Sequence, residues 1–222
     1  MNEKSINYWK IGEDTIKEIQ LSGEHPSILL HACCAPCSTF PLLRLVEAFD
    51  VTIYFNNDNI YPREEYQKRL DELKNYLEVF NTENNQHVGL IIKPYDGETY
   101  LKKISIRKED QEGHARCRYC FCLRLNDAFE YANSHGYKYF TTVMTISRQK
   151  DSCALNRIGK ALQNRYKNTL FLFHNFKKNN GGDIGLKLAK KYNLYQQLYC
   201  GCYYSYKNSE EKAKANKIKS LV

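Results

Sequence analysis

Short apolar runs alternate with longer amphipathic segments along most of the chain. Such runs are typical of strands that are buried on both faces of a parallel sheet, where neither face needs polar residues. No internal repeat, low-complexity tract or linker rich in Pro and Gly interrupts the series, which indicates a single domain. The pattern predicts five strands, which cover residues 27–33, 51–56, 88–94, 137–144 and 169–173.

The segments between the strands have the periodicity of helices. Pro62 stands in the first turn of one of them, where a missing N–H is tolerated, and Gly136 follows another as a C-terminal cap. Helices are predicted at residues 37–49, 62–80, 120–135, 152–166, 184–192 and 209–221. The alternation predicts an α/β domain with a mainly parallel five-stranded sheet that is flanked by helices on both faces.

Membrane insertion and secretion are not indicated by the sequence. No stretch of the 222 residues approaches the roughly 20 apolar residues that a membrane span needs. The N-terminal segment is charged throughout and has no apolar core before a cleavage site, so a cytoplasmic protein is expected. The formal net charge of +8 is compatible with an anionic partner such as RNA, although charge alone is a weak indication.

Nine cysteines are the most informative feature of the composition. Seven of them fall into three short groups: one after the first strand, a CxxC at a helix start and a CxC around a glycine. These are Cys33, Cys34 and Cys37; Cys117 and Cys120; and Cys200 and Cys202. In a cytosolic protein such clustering points to metal or redox chemistry and not to a disulfide framework. Cys122 and Cys153 are isolated and are interpreted as small buried apolar residues.

The first cysteine group lies at the carboxyl end of a strand, where open α/β sheets bind their ligands. The helix N-terminus that follows favours thiolates, the form that binds metal. Seven thiols exceed the four that one [4Fe–4S] cluster or one structural zinc ion takes. Cys33 and Cys34 are adjacent, so in an extended chain they point to opposite sides and could serve two neighbouring centres. We therefore hypothesise a cluster with a mononuclear metal beside it.

Four motifs carry a resemblance to a known family. They are HACCAPCS (31–38), NIYPREEYQKR (59–69), RCRYCFCLRL (116–125) and LYQQLYCGCYYS (194–205). Together they resemble the QueH family of iron–sulfur epoxyqueuosine reductases over residues 27–205. The resemblance implies an oxidoreductase that reduces the epoxide of epoxyqueuosine, at the wobble position of tRNA, to queuosine without cobalamin. It also implies an adenine-nucleotide-α-hydrolase-like (HUP-like) fold, with residues 1–22 as an N-terminal extension and residues 23–222 as the catalytic domain.

The same resemblance implies the cofactors and partners of the reaction. These are a [4Fe–4S] cluster, an adjacent mononuclear metal that is expected to be iron, a tRNA that carries epoxyqueuosine and an electron donor of unspecified identity. All seven grouped cysteines match the motifs as candidate ligands, and their division between the two centres stays open. The position of Cys37 can be Asp in relatives, which fits the second metal better than the cluster and gives this residue a candidate catalytic role.

Polar residues near the strand ends are candidates for the rest of the chemistry. His31 is a candidate proton donor, with a buried histidine that orients the strand end as an equal alternative. Arg69 is a candidate contact for phosphate or base, but it follows Glu65 by four residues and could simply pair with it. Arg148 and Lys150 are candidates for substrate binding, with an exposed basic turn as the alternative.

Three other functions compete with this interpretation. A zinc-containing RNA-binding protein would use the same thiols without redox chemistry. A tRNA sulfur-transfer enzyme on a related fold would need a loop rich in Gly and Ser for ATP after the first strand, where this chain has CCAPCST (33–39). A thioredoxin-like dithiol protein would use the CxxC and leave the other five grouped cysteines without a role.

Overall fold

The apolar runs form the strands of one sheet. The computed structural model describes residues 6–219, and within them neighbouring strands pair in parallel in the order β3-β2-β1-β4-β5. The strands are β1 (Ser27–His31), β2 (Asp50–Phe55), β3 (Gly89–Ile92), β4 (Tyr139–Thr142) and β5 (Leu170–Phe171). This arrangement confirms the α/β prediction and is consistent with a HUP-like, Rossmann-type fold.

Eight α-helices connect and cover the strands in the described part of the chain. They are α1 (Tyr8–Ser22), α2 (Ala35–Leu45), α3 (Arg63–Asn84), α4 (Gly97–Ile104), α5 (Ala115–Ser134), α6 (Ser152–Arg165), α7 (Gly181–Lys191) and α8 (Tyr203–Lys219). Short 3-10 turns follow α4 at Ser105–Arg107 and β4 at Val143–Ile146. Within residues 6–219 no helix has the length and apolar character that crossing a membrane requires.

Four helices differ from the sequence-based prediction. The apolar pattern does not predict α1 or α4. It predicts that α5 and α8 begin at residues 120 and 209, whereas they begin at Ala115 and Tyr203. Helix α4 is short, and it forms because the carboxylate of Asp96 caps it by accepting the N–H of Thr99 at 3.1 Å. The CxxC lies inside the first turns of α5 and not before them. The predicted end of α8 at residue 221 lies outside the described residues.

Helices cover both faces of the sheet. On one face α1, α2 and α3 contribute Ile16, Leu42 and Leu73 to an apolar layer over β1 and β2. On the other face α5 and α6 contribute Phe129 and Leu155 to a second layer. Because both faces are covered, the carboxyl ends of the strands are left as the place where a site can form.

The N-terminal helix α1 packs on the first of these layers. Ile16 is fully buried, and Glu13 reaches across to Arg44 of α2 and to His174 after β5, with O···N distances of 2.9 and 3.0 Å. The assignment of residues 1–22 to an extension stays a prediction, and the described part of that segment is packed against the core of the domain.

The pair of Glu13 and His174 makes stability depend on pH. Burial lowers the pKa of His174 below its ordinary value of 6.5, and the hydrogen bond with His174 lowers the pKa of Glu13 to about 2. As the pH falls through 6.5 the unfolded chain therefore binds a proton that the folded protein does not. The free energy of unfolding should decrease in this range, by up to about 1.4 kcal/mol per pH unit from His174.

We expect His174→Gln to reduce this decline between about pH 7 and pH 5, because the variant loses one of the two buried histidines whose pKa is lowered and keeps only His31. Glutamine keeps a donor for Glu13 but loses the stacking of His174 on Phe176, so the slope with pH and not the absolute free energy of unfolding is compared. Urea denaturation across the range measures the slope. His25→Gln replaces an exposed histidine and should keep the original slope. Equal slopes for His174→Gln and the unchanged protein would contradict the assignment.

Candidate metal centre and active site

The candidate site lies where the strand order reverses. From β1 the sheet continues through β2 and β3 on one side and through β4 and β5 on the other. The carboxyl ends of β1 and β4 therefore flank the switch point at which open α/β sheets bind ligands. At this point Nδ1 of His31, at the end of β1, lies 2.8 Å from Oγ1 of Thr142, at the end of β4.

Three cysteines after β1 form a compact group that we call the cysteine triad: Cys33, Cys34 and Cys37. Cys34 is the N-terminal capping residue of α2, and the turn from strand to helix brings the three Sγ atoms within 4.8 Å of one another. The Sγ atoms of Cys33 and Cys34 are 3.9 Å apart. Two thiolates that bind one tetrahedral ion at about 2.3 Å lie roughly 3.8 Å apart, so the triad could hold a metal ion.

Contacts within the triad shift the pKa values of its thiols in opposite directions. Contacts from Cys34 and Cys37 hold the pKa of Cys33 well below its usual range, and the contact with Cys33 raises the pKa of Cys37. Gln197, from the loop before α8, donates to Sγ of Cys34 at 3.2 Å. A thiolate that is stabilised by neighbouring donors is the form that binds metal.

The other four grouped cysteines line one cavity of about 430 Å³ at the same edge of the sheet. We call them the cysteine quartet and their cavity the cysteine cavity: Cys117, Cys120, Cys200 and Cys202. Sγ of Cys117 accepts the N–H of Gly113 at 3.1 Å, and Sγ of Cys202 accepts the N–H of Ser205, in the first turn of α8, at 3.4 Å. Burial raises the pKa of Cys202 to about 12, and a cation bound in the cavity would favour its thiolate form.

Arg69 holds the loop that carries the CxC. Its side chain is 1% exposed and pairs with Glu65 at 2.7 Å. It also donates to the carbonyl oxygens of Tyr199 and Cys200 at 3.3 and 3.4 Å. The structure thus contains the Glu65–Arg69 pair that the sequence offered as the alternative, and a direct contact of Arg69 with substrate stays a prediction.

Gly201, in the middle of the CxC, is required by the close approach of Arg69. Its φ of 113° lies in the region that favours glycine, and a Cβ atom added there would lie 2.9 Å from Nη1 of Arg69. An alanine would strain the backbone and push the guanidinium away from the carbonyl groups that it binds.

We expect Gly201→Ala to lower the free energy of unfolding by about 1–3 kcal/mol. Gly136→Ala is the matched control, because Gly136 also has a positive φ, of 75°, but has no atom within 4 Å of an added Cβ. Urea denaturation of the two variants separates the backbone cost from the clash with Arg69. The same loss in both variants would refute the role of Arg69.

Arg124, on α5, is a charged residue of the site that the sequence reasoning did not identify. It is 4% exposed, and it donates to Oδ1 of Asn57 at 2.6 Å. Among residues 6–219 its Nε has no hydrogen-bond partner. Burial opposes its charge, and the thiols of Cys120 and Cys33 favour it. This buried cation therefore faces sulfur from both the triad and the quartet.

His31 is fully buried, and both of its ring nitrogens have partners. Nε2 lies 3.2 Å from Nη2 of Arg124, which can only donate, so Nε2 accepts and Nδ1 carries the proton toward Thr142. Burial and the charge of Arg124 hold the pKa of His31 well below 6.5. These contacts suit a histidine that orients the strand end, and its role as a proton donor stays a prediction.

Lys150 and Arg148, from the loop after β4, differ in position. Lys150 lines the cysteine cavity; burial opposes its charge, and Cys200 and Cys33 raise its pKa. The side chain of Arg148 is 69% exposed and pairs with Asp183 at 2.5 Å. Arg148 lines a smaller cavity, of about 210 Å³, beside the cysteine triad. The contact of either residue with substrate stays a prediction.

The isolated cysteines lie outside both thiol groups. No disulfide joins any of the nine cysteines, all of which belong to the described residues. Cys153 is partly buried, whereas Cys122 is exposed. The interpretation of Cys122 as a buried apolar residue was therefore wrong, because its position on α5 turns it away from the face that packs on the sheet.

The fold and the site define a parallel α/β domain of the HUP-like class, with a cysteine triad at the switch point that could hold a metal ion. Comparison with known proteins gives the family. The family model for epoxyqueuosine reductase QueH matches residues 28–208. The chain belongs to the epoxyqueuosine reductase QueH family, which confirms the resemblance seen in the motifs.

Individual relatives support this assignment over most of the chain. The chain is 37% identical to the epoxyqueuosine reductase QueH of Staphylococcus epidermidis, over 92% of this chain and 87% of the relative. It is 37% identical to that of Streptococcus pyogenes serotype M1, over 93% and 80%. It is 29% identical to that of Thermotoga maritima, over 84% and 93%.

Proposed function

We propose that this chain reduces the epoxide of epoxyqueuosine in tRNA to queuosine, and that it acts in the cytoplasm. The observation that carries the proposal is the presence of two separate thiol groups at one edge of the sheet, in a member of the QueH family. Epoxide removal consumes two electrons and two protons and releases water. A site with two neighbouring metal centres suits a reaction of that kind.

The donor sets fit the two cofactors that the family resemblance implies. The cysteine quartet surrounds a cavity, as the ligands of a [4Fe–4S] cluster must, because each thiolate binds a different iron. The cysteine triad is too compact for that arrangement and suits a single ion, expected to be iron. We therefore assign the quartet to the cluster and the triad, including Cys37, to the second metal. When bound, these groups would supply single electrons and a Lewis acid for the epoxide oxygen.

The residues of this chain supply charge and position. Lys150 lies in the wall of the cysteine cavity with its ammonium group near Cys200 and Cys33. There it can stabilise negative charge that develops on the epoxide oxygen and bind a phosphate or hydroxyl of the nucleoside. Arg124 lies 3.2 Å from Nε2 of His31 and holds the imidazole in one tautomer. Arg148, beside the triad, is accessible to RNA phosphate.

The test is an assay on tRNA that contains epoxyqueuosine, under anaerobic conditions with dithionite as the electron source. Digestion of the tRNA and mass analysis of its nucleosides should show queuosine formed by the metal-loaded protein. A zinc-containing RNA-binding protein would instead be colourless, would keep its zinc in air and would leave the epoxide unchanged. ATP-dependent sulfur transfer would add sulfur to the tRNA, and the glycine-free loop at residues 33–39 argues against it.

A further inference from the structure

A second cavity lies beside the cysteine cavity and shares part of its wall. It has a volume of about 360 Å³. Five tyrosines line it, so we call it the tyrosine cavity: Tyr61, Tyr95, Tyr100, Tyr203 and Tyr204. Cys202 and Tyr100 line both cavities. A group bound in the tyrosine cavity would therefore be adjacent to whatever occupies the cysteine cavity.

Tyr61 presents a fixed and partly open ring in this cavity. Its N–H donates to the carbonyl of Gly201 at 2.7 Å, and its carbonyl accepts the hydroxyl of Tyr199 at 2.6 Å. Its ring makes edge-to-face contacts with the rings of Tyr203 and Tyr206, at centroid distances of 5.1 and 5.5 Å. The residue is nevertheless 36% exposed. A rigid aromatic ring of this kind is a suitable stacking partner for a nucleobase, because every base has a π-face.

A buried polar atom of the tyrosine cavity lacks a hydrogen-bond partner, and an exposed arginine also lines the cavity. Asn59 is 5% exposed, and its buried Oδ1 accepts no hydrogen bond from any part of the chain between residues 6 and 219. A buried acceptor without a donor is costly and points to a ligand that donates. Arg63 also lines the cavity, is exposed, and pairs with no carboxylate of the described residues. A base edge offers N–H donors for Asn59, and the RNA backbone offers a phosphate for Arg63.

We propose that the tyrosine cavity binds a nucleobase of the RNA substrate, with the base face on the tyrosine rings, its edge on Asn59 and its phosphate on Arg63. This inference rests on the proposed function, which supplies the RNA. The base belongs either to the modified nucleoside, whose epoxide then enters the cysteine cavity, or to the nucleotide next to it. Both sources present the same face, donor edge and phosphate.

Binding of a synthetic anticodon stem–loop RNA to the metal-loaded protein tests this proposal under anaerobic conditions. We expect Asn59→Ala to raise Kd about 5- to 10-fold through the lost hydrogen bond. We expect Arg63→Ala to raise Kd and to reduce the slope of log Kd against log salt by about one. Lys160→Ala removes an exposed positive charge from α6 and should change Kd less than about twofold. Both cavity variants should keep the thermal midpoint. Within residues 6–219 Oδ1 of Asn59 accepts no hydrogen bond, and Arg63 pairs with no carboxylate.

RNAs with a single abasic nucleotide, at the modified position or at either neighbour, identify the occupant. Where the missing base is the one that fills the cavity, Asn59→Ala should cost no further affinity. Loss of the Asn59 effect at one position supports the proposal and names the base. An Asn59 effect of equal size on all three RNAs, or none on intact RNA, overturns it. Reduction of epoxyqueuosine by the unchanged protein is assayed in parallel, so failure of the proposed function is recognised separately.

Discussion

Replacing any one of the cysteine quartet with alanine is expected to remove most of the acid-labile sulfide from anaerobically purified protein. The quartet lines a single cavity, and a cubane cluster that loses one of four thiolates in a buried site is poorly retained. Sulfide should fall from about four per chain to less than about one, and the dithionite-bleachable absorbance should fall with it.

The triad should behave differently. Cys37→Ala is expected to keep about four sulfides per chain and to lose about one iron, because the three Sγ atoms within 4.8 Å of one another suit one ion. Iron and sulfide analysis of each variant separates the two results. The matched controls are Cys122→Ala and Cys153→Ala, since these cysteines lie outside both groups. Loss of sulfide in Cys37→Ala, with sulfide retained in Cys117→Ala, would reverse the assignment of the two centres.

The strands and the site edge could be predicted from the sequence, because both depend on local patterns. Five apolar runs locate the five strands, and the cysteines that follow the first run must lie at its carboxyl end. The run at residues 137–144 is longer than β4, since Val143–Ile146 leaves the sheet as a 3-10 turn. The turn is as apolar as the strand, so composition alone does not separate them.

The grouping of the cysteines could not be predicted, because it depends on tertiary contacts. The CxxC and the CxC are far apart in sequence. They share a cavity because Arg69 of α3 binds the CxC loop, and because the first turns of α5 place Cys117 and Cys120 in the wall of the same cavity. Arg124 was missed although the sequence contains a clue. It follows Cys120 by four residues and Cys117 by seven, so all three lie on one face of a helix.

Arg124→Gln is expected to destabilise the metal-loaded protein far more than the metal-free protein. A buried guanidinium is costly unless a negative group compensates it. Among the described residues Arg124 forms no ion pair with a carboxylate, and the groups that favour its charge include Cys120, Cys33 and Cys200. These thiols are anionic when they bind metal. The loss should therefore be about 3–5 kcal/mol in the loaded protein, which corresponds to a fall in thermal midpoint of roughly 6–20 °C.

In the metal-free protein the same substitution should cost less, about 1 kcal/mol, since glutamine keeps a donor for Asn57 and Cys33, whose pKa is lowered, compensates only part of the charge. Anaerobic thermal unfolding followed by circular dichroism measures both forms. Lys160→Gln, on an exposed position of α6 outside the cysteine cavity, controls for the change in net charge. Equal losses in the two forms would mean that Arg124 acts only as a hydrogen-bond donor.

The charge of Arg124 should also affect the reduction of the proposed cluster. Reduction adds an electron to a centre that is already negative, and a nearby buried cation stabilises the reduced form. Arg124→Gln should therefore make the midpoint potential more negative, whereas Arg124→Lys, which keeps the charge, should restore most of the difference. A purely structural residue would lower stability in both variants without this dependence on charge. The pairing of a potential with a stability measurement thus distinguishes an electrostatic role of Arg124 from its contribution to the packing of α5 against the end of β1.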